Sequence, residues 1–64
     1  MDMYNLFLIY RQIVNNSGHI EKVDVVECDM DETLAIRYCK FYNSQVSHDL
    51  KNKVSYHSQI VRVV

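Results

Sequence analysis

Residues 29–42 form the one segment of this chain with a clear helical pattern, and the rest of the chain has to pack against it. Its apolar residues recur at the spacing that places them on one side of an α-helix. They are Leu34, Ala35, Tyr38, Phe41 and Tyr42. Asp29 and Glu32 have the spacing of a capping box, which predicts that the helix starts near Met30. A single amphipathic helix of this kind needs a sheet to cover its apolar side.

The segments on either side of this helix have the composition of β-strands. Residues 3–14, 20–28 and 54–64 are rich in aromatic and β-branched side chains. The predicted fold is therefore a small α+β domain over residues 1–64 with the order β-β-α-β. An N-terminal hairpin and a C-terminal strand form a three-stranded sheet, with the helix on one face. A right-handed crossover places strand three parallel to strand two, either beside it or on the far side of strand one.

The hairpin turn is predicted in the Asn-Asn-Ser-Gly segment at residues 15–18. A two-residue turn at Ser17 and Gly18 would set the pairing of the two strands, although a register one residue away is the alternative. The first register pairs Arg11 with Asp24, Tyr10 with Val25, Ile9 with Val26, and Phe7 with Cys28. After the helix, residues 43–53 are predicted to be a polar loop with one short turn that begins at Ser47.

Both faces of the predicted hairpin carry apolar residues. One face has Leu6, Leu8, Tyr10, Val23 and Val25, and the other has Phe7, Ile9, Ile13 and Val26. The last strand adds Ile60, Val61, Val63 and Val64, which also divide between the two faces. Because one helix can cover only one of them, we expect another polypeptide to cover the second.

Charge and cysteine content exclude several classes of protein. Seven basic and eight acidic residues give a net charge near −1, without the basic face that binding to the DNA backbone needs or the acidic face that DNA mimicry needs. No apolar run is long enough to be a signal segment or to span a membrane, so we expect a cytoplasmic protein. Cys28 and Cys39 are then predicted to be reduced, buried side chains.

The residue types that bind metals or act as nucleophiles are present without the spacing that would indicate such a site. They are Cys28, Asp29, Asp31, Cys39, His48 and His57. Cys28 could meet His57 only if strands two and three were neighbours, and a domain this small offers no deep pocket. The acidic residues 29, 31 and 32 suit the positive end of the helix dipole. We therefore predict no metal, no cofactor and no enzymatic activity.

The five tyrosines divide into two groups. Tyr38 and Tyr42 belong to the apolar side of the helix, whereas Tyr4, Tyr10 and Tyr56 are predicted to be exposed on strands. Exposed aromatic rings on a sheet can stack on nucleic-acid bases. The strand cations that would accompany them are few, namely Arg11, Lys22 and Arg62.

The order of elements, the size of the chain and two short motifs resemble small phage-encoded proteins that bind and inhibit a bacterial enzyme. The motifs are Asp31-Glu32-x-Leu34 at the start of the helix and Val61-Arg62-Val63 in the last strand. Both motifs resemble segments of the T7-type inhibitors of bacterial RNA polymerase. In that family a second arginine lies two positions beyond the first, where this chain has Val64. In size the chain also resembles phage proteins that block restriction, CRISPR or related defence enzymes.

These observations predict a non-enzymatic interaction protein of a phage or mobile element. It is expected to form a homodimer through its uncovered sheet face or its final strand, and to block a host protein. Ile36 supports this prediction because it is an apolar residue on the polar side of the helix. The predicted partner-binding residues are Tyr10, Arg11, Ile36, Tyr56, Arg62 and Val64. The alternative is a small nucleic-acid-binding regulator that uses Tyr10, Arg11, Tyr56 and Arg62.

Overall fold

A computed structural model describes residues 3–64, so Met1 and Asp2 of the predicted domain lie outside the described residues. The elements are β1 (Tyr4–Val14), β2 (Ile20–Asp29), α1 (Glu32–Gln45), a short 3-10 helix (His48–Leu50) and β3 (Val54–Val63). The strands form one sheet in the order β2-β1-β3, with both neighbouring pairs antiparallel. The helix packs across one side of this sheet. The predicted α+β fold is confirmed. Of the two positions left open for the third strand, β3 takes the one on the far side of β1, parallel to β2.

The β1–β2 turn is longer than the predicted two-residue turn. The carbonyl of Asn15 accepts from the Gly18 amide at 3.0 Å, and the Asn15 amide donates to the His19 carbonyl at 2.9 Å. The Asn15 side chain also accepts from the Ser17 and His19 amides. Gly18 has a φ of 83°, in the left-handed region that a residue without a Cβ adopts most readily. The loop is therefore a three-residue connection that ends in a left-handed glycine.

A β-bulge shifts the hairpin register halfway along β2. Arg11 pairs with Asp24 and Tyr10 pairs with Val25, as predicted. Beyond the register shift between Ile9 and Tyr10, Ile9 pairs with Glu27, Leu8 with Cys28, and Phe7 with Asp29. The predicted pairs Ile9–Val26 and Phe7–Cys28 are wrong because the extra residue of the bulge moves every later partner by one.

The helix begins two residues later than predicted. The carboxylate of Asp31 accepts hydrogen bonds from the Thr33 and Leu34 amides at 2.8 and 3.3 Å, so Asp31 is the N-cap. Asp29 cannot be the cap because it is the last residue of β2 and pairs with Phe7. Its carboxylate instead accepts from the Asp31 amide at 2.8 Å. The helix also extends to Gln45, beyond the predicted end at residue 42.

The core is small. Phe7, Ile9 and Ala35 are the only buried hydrophobic residues within the described range, and Tyr38, Tyr42 and Tyr56 pack around them. Two residues of the predicted apolar side of the helix are exposed, Leu34 at 37% and Phe41 at 59%. Cys39 and Asn43 are half-buried instead, so the covered stripe is rotated toward β3. Cys28, predicted to be buried, is exposed, and Tyr56, predicted to be exposed, is half-buried beneath the helix.

Candidate protein-binding surface

The sheet has one side covered by the helix, the helix-side face, and one side that the helix leaves uncovered, the open face. Side chains alternate between the two faces along each strand, and the pairing register aligns them across strands. Phe7 and Ile9 mark the helix-side face because they pack against Ala35. The open face consists of Tyr4, Leu6, Leu8, Tyr10, Gln12 and Val14 from β1, Ile20, Val23, Val25 and Cys28 from β2, and Ser55, His57, Gln59, Val61 and Val63 from β3.

The open face is apolar and contains no lysine, arginine, aspartate or glutamate among the residues that the register assigns to it. Ile20, Val23 and Val25 are 61%, 52% and 60% exposed, so water reaches much of this surface. The prediction that Leu6, Leu8, Tyr10, Val23 and Val25 share one face is confirmed. Strand and residue spacings give the three strands an area of roughly 450 Å² on this side. An uncharged apolar patch of that size is typical of an interaction site.

The charged strand residues that the pairing register assigns to a face all lie on the helix-side face. The Arg11 guanidinium contacts the Asp24 carboxylate at 2.8 Å, and the Lys22 ammonium lies 3.7 Å from the same oxygen. The hydrogen bond from Arg11 lowers the pKa of Asp24 and raises the pKa of Arg11. The Nε of Arg11 is buried without a partner among the described residues. The two faces of one thin sheet therefore differ sharply in chemistry.

Two stacked tyrosines pack beside Arg11 on the helix-side face. The rings of Tyr42 and Tyr56 stack with centroids 5.1 Å apart, and the Tyr42 hydroxyl donates to the Glu27 carboxylate at 3.1 Å. This hydrogen bond raises the pKa of Tyr42. Glu27 reaches Tyr42 because the bulge in β2 turns it toward the helix, opposite Ile9. The bulge thus connects the hairpin to the C-terminal half of the helix.

Replacing Asp24 with asparagine is expected to reduce the loss of stability in acid. The usual pKa of this carboxyl is 3.8 and the folded-state pKa is lower, so the ion pair stabilises the fold above pH 3.8. That contribution is lost as the pH falls through the lower, folded-state value. Thermal unfolding followed from neutral pH down to acid should show a shallower decline in Asp24→Asn than in wild type. Asp49→Asn, a change at an exposed position, should keep the wild-type slope.

A shallow groove lies between the end of the helix and the sheet. Its volume is about 420 Å³, and Arg11 and Tyr56 line it together with Ile13, Val46, Leu50 and Val54. The groove lining contains no histidine, cysteine or carboxylate. Because Asp24 already neutralises Arg11, this groove offers neither a free cation nor a base.

The six predicted partner-binding residues do not lie on one surface. Tyr10 is on the open face, where its ring lies 5.4 Å from that of His57. Arg11 and Tyr56 pair with each other on the helix-side face. Ile36 is 43% exposed on the helix. Arg62 and Val64 are exposed at the far end of β3, where Arg62 pairs with Asn5.

The predicted metal-binding and nucleophilic residues stay apart. Cys28 pairs with Leu8 and His57 pairs with Tyr10, so the central strand separates the cysteine from the histidine. In residues 3–64, no three side chains of histidine, cysteine, aspartate or glutamate are grouped closely enough to hold a metal ion. None of the helices in the same range has the length and hydrophobicity that crossing a membrane requires.

Asn43 makes a contact with β3 that the sequence pattern does not predict. Its side-chain amide donates to the Tyr56 carbonyl at 2.9 Å and accepts from the Tyr56 amide at 2.9 Å. The Cys39 thiol donates to the same carbonyl at 3.1 Å, and burial raises the pKa of this thiol. Asn43 lies four and eight residues after Cys39 and Ala35, so it continues the buried stripe of the helix. A polar residue in that position is a signal that a backbone partner lies opposite.

Comparison with known protein families, with characterised proteins and with solved structures finds no match for this chain. The inference of function therefore depends on the two faces and the two edges of the sheet.

Proposed function

We propose that this chain is a non-enzymatic protein-binding protein of a phage or mobile element. It dimerises and blocks a host protein such as a defence enzyme or RNA polymerase. The open face binds the target. The observation that supports this most directly is the apolar, uncharged surface on the side of the sheet opposite the helix.

The size and chemistry of the open face suit a protein partner. A standard interface buries ~800 Å² on each side, which would cover this face and a rim around it. Leu6 and Leu8 lie on the central strand, and the more exposed Val23 and Val25 lie on the neighbouring strand. An apolar centre depleted in charge is the usual composition of the buried core of an interface.

The arrangement does not favour the nucleic-acid alternative. Tyr10 is on the open face, whereas Arg11, Tyr56 and Arg62 fall on the helix-side face by the pairing register. By the same register, no strand lysine or arginine shares the face of Tyr10. On the helix-side face, Tyr56 stacks on Tyr42 and Arg11 is paired with Asp24. A platform for bases needs free rings and free cations on one surface.

The test is capture of the target by a photocrosslinker placed on the open face. In this variant p-benzoylphenylalanine replaces Val25, whose side chain is 60% exposed to solvent. The variant is mixed with a bacterial lysate and irradiated. We expect one dominant crosslinked protein. The same probe in place of Lys40, on the exposed side of the helix, is the matched control and should not give this product.

The substitution Val25→Lys then tests whether contact with the open face is required. A charge buried in an apolar interface without a partner should weaken binding by about tenfold or more. Val25→Lys is expected to keep the wild-type circular dichroism spectrum because position 25 is exposed. Equal affinity of wild type and Val25→Lys for the crosslinked protein, or equal crosslinking from positions 25 and 40, would contradict the proposal.

A further inference from the structure

The two edges of the sheet differ in how well they are protected against pairing with another strand. β2 has two register shifts and carries Glu21, Lys22, Asp24, Glu27 and Asp29. β3 pairs with β1 over ten consecutive positions without a shift, and its single Lys, Arg, Asp or Glu is Arg62. Bulges and charges are the usual means of preventing edge-to-edge association. The β3 edge has no bulge and only one such charge, Arg62.

The hydrogen bonds of β3 show which part of its edge is free. Tyr56 directs its amide and carbonyl away from β1, since both bond to Asn43 of the helix. Backbone groups alternate in direction along a strand, so those of Ser58, Ile60 and Arg62 also point outward. Within residues 3–64 these peptide groups have no hydrogen-bond partner. The helix thus protects the edge at Tyr56 and leaves the next three outward positions open.

We propose that this open part of β3 pairs antiparallel with the same part of a second copy of the chain, centred on Ile60. This inference specifies how the dimer of the proposed function forms, and it rests on the proposed function only for the existence of a dimer. Ile60 lies opposite Ile60 across a two-fold axis, and Ser58 lies opposite Arg62. Each of the three residues supplies one amide and one carbonyl, so the two copies form about six hydrogen bonds.

A second copy is the occupant that this edge fits best. A two-fold antiparallel pair needs a strand that is complementary to itself, and the free segment is symmetric about Ile60 in its outward groups. The side chain of Ile60 is 57% exposed, so two copies place two exposed isoleucines side by side. Arg62 of each copy lies opposite Ser58 of the other. The two arginines are therefore on opposite sides of the two-fold axis and do not face each other.

Pairing at this edge also enlarges the target-binding surface. Val61 and Gln59 lie on the open face, so pairing about Ile60 brings Val61 of each copy next to Gln59 of the other. The two open faces then form one six-stranded apolar surface of roughly 900 Å². A dimer built this way leaves both open faces free for the target.

The first test replaces Ile60 with proline. Proline removes an amide that points away from β1, and edge strands accept proline at such positions. Sedimentation at high micromolar concentration should show wild type at twice the 7.6 kDa chain mass and Ile60→Pro at the single mass. Ile60→Thr keeps the amide and the β-branched shape, so it should remain a dimer with a dissociation constant raised less than about tenfold. A monomeric wild type, or equal effects of proline and threonine, would overturn the proposal.

The second test measures the register without depending on the proline variant. In a Cys28→Ser background, Ile60→Cys places two thiols across the axis at a Cα separation of about 5.5 Å, which suits a disulfide. Ser58→Cys places its thiol opposite Arg62 and should crosslink far more slowly. Efficient crosslinking of Ser58→Cys but not of Ile60→Cys would overturn the register.

The proposed dimer and the proposed target site can be disproved separately. Val25→Lys should leave the dimer intact and weaken binding of the crosslinked protein by about tenfold or more, whereas Ile60→Pro should abolish the dimer and leave crosslinking from the open face detectable. A dimer that survives Ile60→Pro and is lost in Val25→Lys would place the second copy on the open face and overturn the inference.

Discussion

Replacing Ile9 with alanine is expected to remove a large part of the free energy of unfolding. Ile9 has no exposed surface. It lies in the central strand, between the two outer strands, and its side chain packs under the helix. Truncating a fully buried isoleucine to alanine costs about 2–5 kcal/mol, because both the transferred methyl groups and the cavity contribute. A domain of this length has a total stability of roughly 3–10 kcal/mol. One substitution therefore removes a large part of it.

Urea unfolding followed by circular dichroism at low micromolar concentration measures this effect. The matched control is Ile20→Ala, which removes the same atoms from a side chain that is 61% exposed. Its cost should be less than about 1 kcal/mol. Similar unfolding midpoints for the two variants would show that Ile9 is not the centre of the core, and would contradict the assignment of the helix-side face.

Composition and periodicity were sufficient to predict the order of elements and the layers. Strand residues and a single amphipathic helix leave few arrangements for a chain of this length, and the crossover rule left two positions for β3. The structure has β3 beside β1, which makes β1 the central strand and explains why its residues Phe7 and Ile9 are the most buried in the sheet.

The errors in local detail share one physical cause. Asp29 has the right spacing for a cap, but pairing with Phe7 keeps its backbone extended, and Asp31 caps the helix instead. Likewise, the bulge in β2 places Glu27 opposite Ile9, where its carboxylate accepts a hydrogen bond from Tyr42 of the helix. Sequence spacing alone does not contain these long-range contacts.

The candidate site could be predicted as a surface, whereas its individual residues could not be predicted reliably. Alternation along β1 was enough to place Leu6, Leu8 and Tyr10 on one face. The same alternation puts Tyr10 and Arg11 on opposite faces, since they are adjacent in a strand. The six predicted residues were chosen by type rather than by face. The extent of the free edge of β3 could not be predicted, because the contact between Asn43 and Tyr56 determines where the unprotected part begins.

That contact holds the helix to the edge of the sheet. Asn43 both donates to and accepts from the backbone of Tyr56, at a distance of 2.9 Å in each case. An asparagine side chain has the same donor and acceptor groups as a peptide, so Asn43 replaces one residue of a neighbouring strand. Without it, the Tyr56 amide would lose its partner in a half-buried position, and the Tyr56 carbonyl would keep only the weaker hydrogen bond from the Cys39 thiol.

Replacing Asn43 with alanine should therefore lower the free energy of unfolding by about 1–3 kcal/mol, since the Tyr56 amide loses its hydrogen bond and the Tyr56 carbonyl loses the stronger of its two. Asn43→Asp keeps the acceptor for the Tyr56 amide but loses the donor and places a negative charge near the Tyr56 carbonyl. Because only the protonated carboxyl can donate to that carbonyl, Asn43→Asp should recover stability relative to wild type as the pH falls. Asn52→Ala, an exposed loop change, is the control for urea unfolding. An Asn43→Ala variant as stable as the control would show that the helix does not depend on this contact.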